Sequence, residues 1–182
     1  TLALRNRNPH VWHRLVAETK SVLGDELVVQ DLDQMHRMSF TQACANEAMR
    51  LKPVAPIMAL EALHDTVVHG YAIPKGCTAY LLPRPSAVGH EALRDPLEFQ
   101  PQRWLEEDGH TAIPKRISTP FGAGPRICPG RYLAMIEIGM VLAMIARNFR
   151  VAELGAKDGA QPEERMAFTM CPSDFHCRLV PA

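Results

Sequence analysis

The ten residues from Phe121 to Gly130, Phe-Gly-Ala-Gly-Pro-Arg-Ile-Cys-Pro-Gly, constrain the fold more than any other stretch of the chain. Gly122, Gly124 and Gly130 admit backbone angles closed to other residues, and Pro125 and Pro129 remove amide donors. Neither a regular helix nor a regular strand can run through such a segment. It leads directly into an apolar helix predicted from about Arg131 to Asn148. Leu133, Ile136, Met140, Ala143 and Met144 mark one face of that helix. Ile138, Val141, Leu142 and Ile145 fill much of another, so the pattern predicts a helix nearly surrounded by protein. The chain therefore fixes a bent loop against the start of a buried rod.

That loop has the makings of a ligand site. Its glycines let backbone approach a flat ligand closely. Cys128 stands just before the helix, where amides and the helix dipole favour a thiolate. Thiolate is a soft ligand suited to iron. Arg126, two residues earlier, can neutralise an acidic group on the same ligand, and Phe121 can pack beside the sulfur and limit solvent. Two other accounts are open for these residues. A lone cysteine is most often a small buried hydrophobe. A glycine-rich loop entering a helix can also cradle phosphate, although this one lacks the Lys-Ser/Thr pair and follows no clear strand.

The rest of the chain predicts helices separated by short strands and turns. Asn8 and Pro9 open a helix whose apolar face carries Val11, Trp12, Leu15, Val16, Val22 and Leu23, with Gly24 as its stop. A second helix is predicted from about Ser39 to Leu51, ended by Pro53 and Pro56. Thr66 to Leu82 reads as short strands, with a type I turn expected over Ile73-Pro74-Lys75-Gly76. Pro83 to Ser118 reads as an irregular meander with one short helix. Gly155 to Glu164 reads as a polar loop. Met166 to Val180 reads as a closing hairpin that pairs the Ala167–Met170 stretch with Phe175–Val180.

Composition narrows the function. The 182 residues carry 20 Lys plus Arg against 20 Asp plus Glu, for a net charge of zero, which argues against a nucleic-acid partner. Apolar residues are 47% and charged residues 22%, which excludes most disordered and fibrous classes. The longest apolar stretch, Ile138 to Ala146, is about half of a membrane span. The five cysteines, an odd number without a tight framework, suggest a reducing compartment. Cys171, His176 and Cys177 have a poor spacing for structural zinc. His10, His13 and His64 beside Asp65 read as exposed polar residues, and no serine stands in a Gly-x-Ser-x-Gly elbow.

Three spaced motifs together resemble the cytochrome P450 family. Phe121 to Gly130 fits Phe-x-x-Gly-x-Arg-x-Cys-x-Gly, its haem-binding loop. Glu47-Ala48-Met49-Arg50 resembles its Glu-x-x-Arg helix motif, with two residues on one helical face. Phe99-Gln100-Pro101-Gln102-Arg103-Trp104 resembles its meander motif. On a helix of unknown context, Glu47 and Arg50 alone would be a surface ion pair worth about 0–1 kcal/mol. The resemblance implies a mainly α fold with small β-sheets (α+β), the C-terminal part of the cytochrome P450 fold, of bacterial type. It divides residues 1–182 into helices (1–51), strands (52–83), meander (84–120), cysteine loop and helix (121–149) and closing hairpin (150–182).

The same resemblance implies haem b, iron protoporphyrin IX, as the cofactor. Cys128 becomes the axial ligand of its iron, with Arg126, Phe121, Gly122 and Gly130 around it. Glu47, Arg50 and Arg103 become a buried structural triad. Val54, Ala55, Ile57, Met58 and Met170 become the lining of the substrate pocket. The implied activity is O2-dependent oxidation of a small, apolar organic substrate. Electrons come from NAD(P)H through a ferredoxin or flavoprotein reductase. A haem-thiolate peroxygenase or isomerase is an alternative, as is a non-catalytic haem-binding or truncated product. The family's central oxygen-handling helix is expected before residue 1, Thr1 to Leu4 being its last turn. A C-terminal portion of this kind is expected to be inactive alone and to expose apolar surface. A cytoplasmic location is expected, with an upstream anchor as the alternative. The sequence departs from the family at Gln102, where Glu is usual, and at Leu60, where many members have a propionate-binding Arg. Arg84 is the candidate substitute for that Arg.

Overall fold

The computed structural model describes residues 8–91, 93–105, 117–156 and 162–182. The expected last turn at Thr1 to Leu4, and parts of the meander and the polar loop, lie outside them. Three helices open the fold: α1 (Pro9–Leu23), α2 (Leu32–Arg37) and α3 (Ser39–Leu51). Helix α1 starts as expected with Pro9 in its first turn. Asn8 contributes its backbone carbonyl, which accepts from Val11 N at 3.1 Å, and makes no side-chain capping bond. Gly24 stops the helix at φ 58°, its N–H donating to the Lys20 carbonyl.

The sequence reading missed α2. Its signal is a short capping motif: Asp31 accepts from Gln34 N at 2.7 Å, and Gln34 Oε1 accepts from Gln30 N at 2.7 Å. Helix α3 has no side-chain cap of its own. The Glu18 carboxylate of α1 fills that place, accepting from Phe40 N at 2.7 Å and from Thr41 N and Oγ1 at 2.8 Å each. An anion on the free amides of a helix start is stabilising. One carboxylate thus locks α1 to α3.

The long helix, here α5, spans Arg131–Asn148, after a short α4 at Pro83–Val88. Protein encloses it on one side, and apolar surface of the kind expected to be exposed lies on the others. Gly139, Leu142, Ala143 and Ala146 form one buried stripe, while Tyr132, Leu133 and Val141 are 72%, 61% and 55% exposed. The reason is that α1, α2 and α3 all cover the same side of α5. Gly139 permits the closest of these approaches: a Cβ there would lie 2.3 Å from the Met35 Cε of α2. The main core joins Val11, Trp12, Leu15, Phe40, Cys44 and Phe99 to Ala146 of α5. Burial pushes the Cys44 thiol up to about 12, so it is a neutral core residue.

Among the described residues, the strands form four two-stranded antiparallel sheets. Strand β1 (Met58–Glu61) pairs with β4 (Thr78–Leu81), and β2 (Thr66–Val68) with β3 (Tyr71–Ile73). His69 and Gly70 turn the β2–β3 hairpin at φ 49° and 84°, as a two-residue type I′ turn requires. The predicted type I turn over 73–76 forms one residue later. Cys77 N donates to the Pro74 carbonyl at 3.1 Å, and Gly76 at φ 81° gives it type II character. Asp65 braces this turn by accepting from Lys75 N at 2.8 Å.

The closing hairpin is also rearranged. Strand β8 (His176–Pro181) pairs with β5 (Phe149–Gly155), the continuation of α5, and not with Ala167–Met170. Arg178 donates to Glu153 across this pair at 2.7 Å and holds that carboxyl below its ordinary range. A separate small hairpin joins β6 (Glu164–Met166) to β7 (Met170–Pro172). Residues 167–169 form its tip, where Phe168 is 96% exposed. No helix among the described residues is long and apolar enough to cross a membrane.

Candidate functional site

The cysteine loop is held by its own backbone. Gly122 N donates to Thr119 O at 3.0 Å, and Ile127 N to Gly124 O at 3.1 Å. Gly122 and Gly124 take φ of 74° and 68°, which side chains rarely allow. Gly124–Arg126 form a single 3-10 turn. The bond that closes the loop runs from Cys128 N to the Phe121 carbonyl at 2.9 Å. Phe121 is therefore tied to Cys128 through the backbone. Cys128 O accepts from Arg131 N at 3.3 Å, so the cysteine lies against the first turn of α5.

Its sulfur is exposed, as are Arg126 and the residues between Ala123 and Pro129. That excludes the buried-hydrophobe account of Cys128. A Cβ on Gly130 would lie 3.8 Å from the Cys128 Sγ, so glycine leaves that flank of the sulfur clear. An exposed soft donor with a glycine beside it and an exposed Arg126 two residues earlier fit a flat iron macrocycle bearing carboxylates. Among the described residues, no group of three or more His, Cys, Asp or Glu is placed to hold a metal ion.

A buried charge cluster joins α3 to the meander. Glu47 and Arg50 are 0% and 1% exposed. Arg50 donates from Nε and Nη2 to the two Glu47 oxygens, each at 2.8 Å. Its outer nitrogens reach Pro96 O at 2.7 Å and Glu98 O at 3.3 Å. Arg103, on the 3-10 turn Pro101–Trp104, donates from Nε to Glu47 at 3.0 Å. The three expected members are thus brought together. Two further donors were missed by sequence reasoning: Gln100 N at 3.1 Å and Trp104 Nε1 at 2.9 Å. The Trp was visible in the meander motif, but its indole N–H was not counted as a partner. Glu47 accepts five hydrogen bonds in all, which is what a buried carboxylate needs. Gln102 is exposed outside this cluster, so its departure from Glu removes nothing from it.

The expected pocket residues divide. Val54 and Met170 line one open cleft of about 590 Å³ with Ala48, Met49, Val141 and Leu142. Met170 N donates to Val54 O at 2.8 Å, joining the two walls. Ala55, Ile57 and Met58 do not line it. Met58 lies instead beside the cysteine loop, its Sδ 3.8 Å from where a Gly122 Cβ would stand. Leu60 is 52% exposed on β1. Arg84 sits on helix α4, not on a strand, and pairs with Glu164 at 3.1 Å. That carboxylate satisfies the guanidinium otherwise offered to a propionate.

Comparison with known proteins decides the family, because the family model described as Cytochrome P450 matches residues 1–178. The chain belongs to the cytochrome P450 family. Ferruginol synthase 1 of Rosmarinus officinalis is 39% identical over 145 residues, covering 78% of this chain and 29% of that protein. The mitochondrial 1,25-dihydroxyvitamin D(3) 24-hydroxylase of Mus musculus is 33% identical over 146 residues, covering 80% and 28%. The crystal structure of the cytochrome P450DA heme domain superposes with a TM-score of 0.84 at 31% identity. It covers 98% of this chain and 39% of that one. The P450 chain therefore spans about a third of the length of its relatives. It carries the mainly α fold with small sheets, and the P450 cofactor is haem.

Proposed function

We propose that the protein containing this chain is a haem-thiolate monooxygenase, and that this chain is its haem-ligating C-terminal portion. One observation carries the reading: an exposed Cys128 whose N–H donates to the Phe121 carbonyl at the start of α5, with Gly130 beside its sulfur. Cys128 would hold the haem iron through its sulfur. Arg126 meets a haem propionate with opposite charge. Phe121 limits solvent at the sulfur, and Gly122 and Gly130 let the loop lie close to the ring. Bound haem supplies the oxygen chemistry, and a thiolate ligand pushes electron density onto its iron. The Glu47, Arg50 and Arg103 cluster keeps the meander and α3 in one frame.

The substrate is a small apolar organic molecule, in keeping with the Val54, Met49, Leu142 and Met170 side chains that line the cleft. One oxygen atom of O2 enters it, and NAD(P)H supplies electrons through a ferredoxin or flavoprotein reductase. The test is turnover of the full-length protein under 18O2 with a reductase system, read by mass spectrometry. The expected product carries one 18O atom. Unlabelled product overturns the reading, and turnover driven by hydrogen peroxide without reductase assigns the scaffold to peroxygenase chemistry instead.

A further inference from the structure

Glu164 occupies a position that the haem site does not explain. It lies on β6, at the rim of the apolar cleft, and meets cations from two other elements. Lys52, the residue that follows α3, forms an ion pair with its Oε1. Arg84 of α4 reaches both its oxygens, at 3.2 and 3.1 Å. The β6–β7 hairpin that bears Glu164 also brings Met170, Cys171 and Pro172 to the cleft. The same hairpin touches the post-α3 segment through Met170 N and Val54 O. Lys52 and the Met170–Val54 hydrogen bond therefore tie the hairpin to the segment after α3 that lines the cleft, and Arg84 ties the hairpin to α4 outside it.

We propose that Glu164 is a positioning residue that clasps the β6–β7 hairpin against Lys52 and Arg84. It thereby sets the width of the cleft and the size of apolar molecule the cleft accepts. The chemistry favours a clasp over a passive surface pair. Without the carboxylate, Lys52 and Arg84 would repel each other beside the hairpin. The pairs are part-exposed, so the clasp is weak enough to release and sensitive to salt.

The role in binding rests on reading the cleft as the substrate pocket, whereas the clasp itself is read by backbone exchange. In the full-length holoprotein, Glu164→Gln and, separately, Arg84→Ala should speed amide exchange at Met170 by about 2–10-fold, with Arg50 unchanged. About 1 M salt, where screening acts within about 3 Å, should reproduce the effect in the parent and add nothing in Glu164→Gln. Affinity for n-butylbenzene, measured by calorimetry, should weaken by a similar factor. Unchanged exchange at Met170 in both variants, or exchange that rises equally at Arg50, overturns the clasp. A clasp that responds as expected, in a parent that binds no n-butylbenzene, overturns the pocket reading alone.

Discussion

Cys128→Ser should abolish haem-thiolate ligation in the full-length protein and with it turnover. The sulfur is the only soft donor on the loop, and the loop has no second side chain that could substitute. Serine keeps the backbone bond to the Phe121 carbonyl, so the loop conformation is retained while the donor changes. The expected loss in turnover exceeds the roughly 10–100-fold typical of removing an outer-shell partner of a metal ligand. In the haem-free protein, thermal stability should change little, because Cys128 is exposed and lies outside the core. Turnover within tenfold of the parent would show that Cys128 is not the ligand.

Glu47→Gln has the largest expected effect on the fold. Glutamine is nearly isosteric but neutral, and its amide presents donors where Arg50, Arg103 and Trp104 already point donors. Two guanidinium groups would remain, one of them almost fully buried, without their common carboxylate. Breaking a buried pair by removing one partner costs about 3–5 kcal/mol. That is a large share of the roughly 5–15 kcal/mol that holds a typical protein folded. Chemical denaturation of the full-length holoprotein measures it through the shift in midpoint at constant slope. A cost of about 1 kcal/mol or less would place Glu47 among ordinary surface ion pairs. Gln102 offers the internal contrast, since it belongs to the same motif but lies outside the cluster.

Much of this arrangement is legible from residues near one another in sequence. The Pro9–Gly24 helix, the Glu47–Arg50 pair and the cysteine loop each carry their own signal in spacing, caps or glycines. What failed was mostly tertiary. The Met166–Val180 stretch alternates well enough for a hairpin, yet β8 found β5 instead, because α5 delivers a strand directly beside it. Apolar residues circle helix α5, its buried residues form the Gly139–Ala146 stripe, and its remaining apolar faces are exposed in this chain, as was expected. Helix α2 is too short to show periodicity, and only its Asp31–Gln34 cap announced it. The resemblance sets Met58 in the pocket with Val54, and strand β1 places it beside Gly122 of the cysteine loop. Arg84 was offered to a propionate because the sequence could not show that Glu164, 80 residues on, already holds it.

The central claim is that Cys128 ligates haem iron as a thiolate, and the absorption spectrum of the reduced, CO-bound full-length protein tests it most directly. The account predicts the band characteristic of thiolate ligation in the parent and its absence in Cys128→Ala and Cys128→His. A parent spectrum characteristic of histidine or neutral thiol ligation, or a thiolate band that survives in Cys128→Ala, would contradict it.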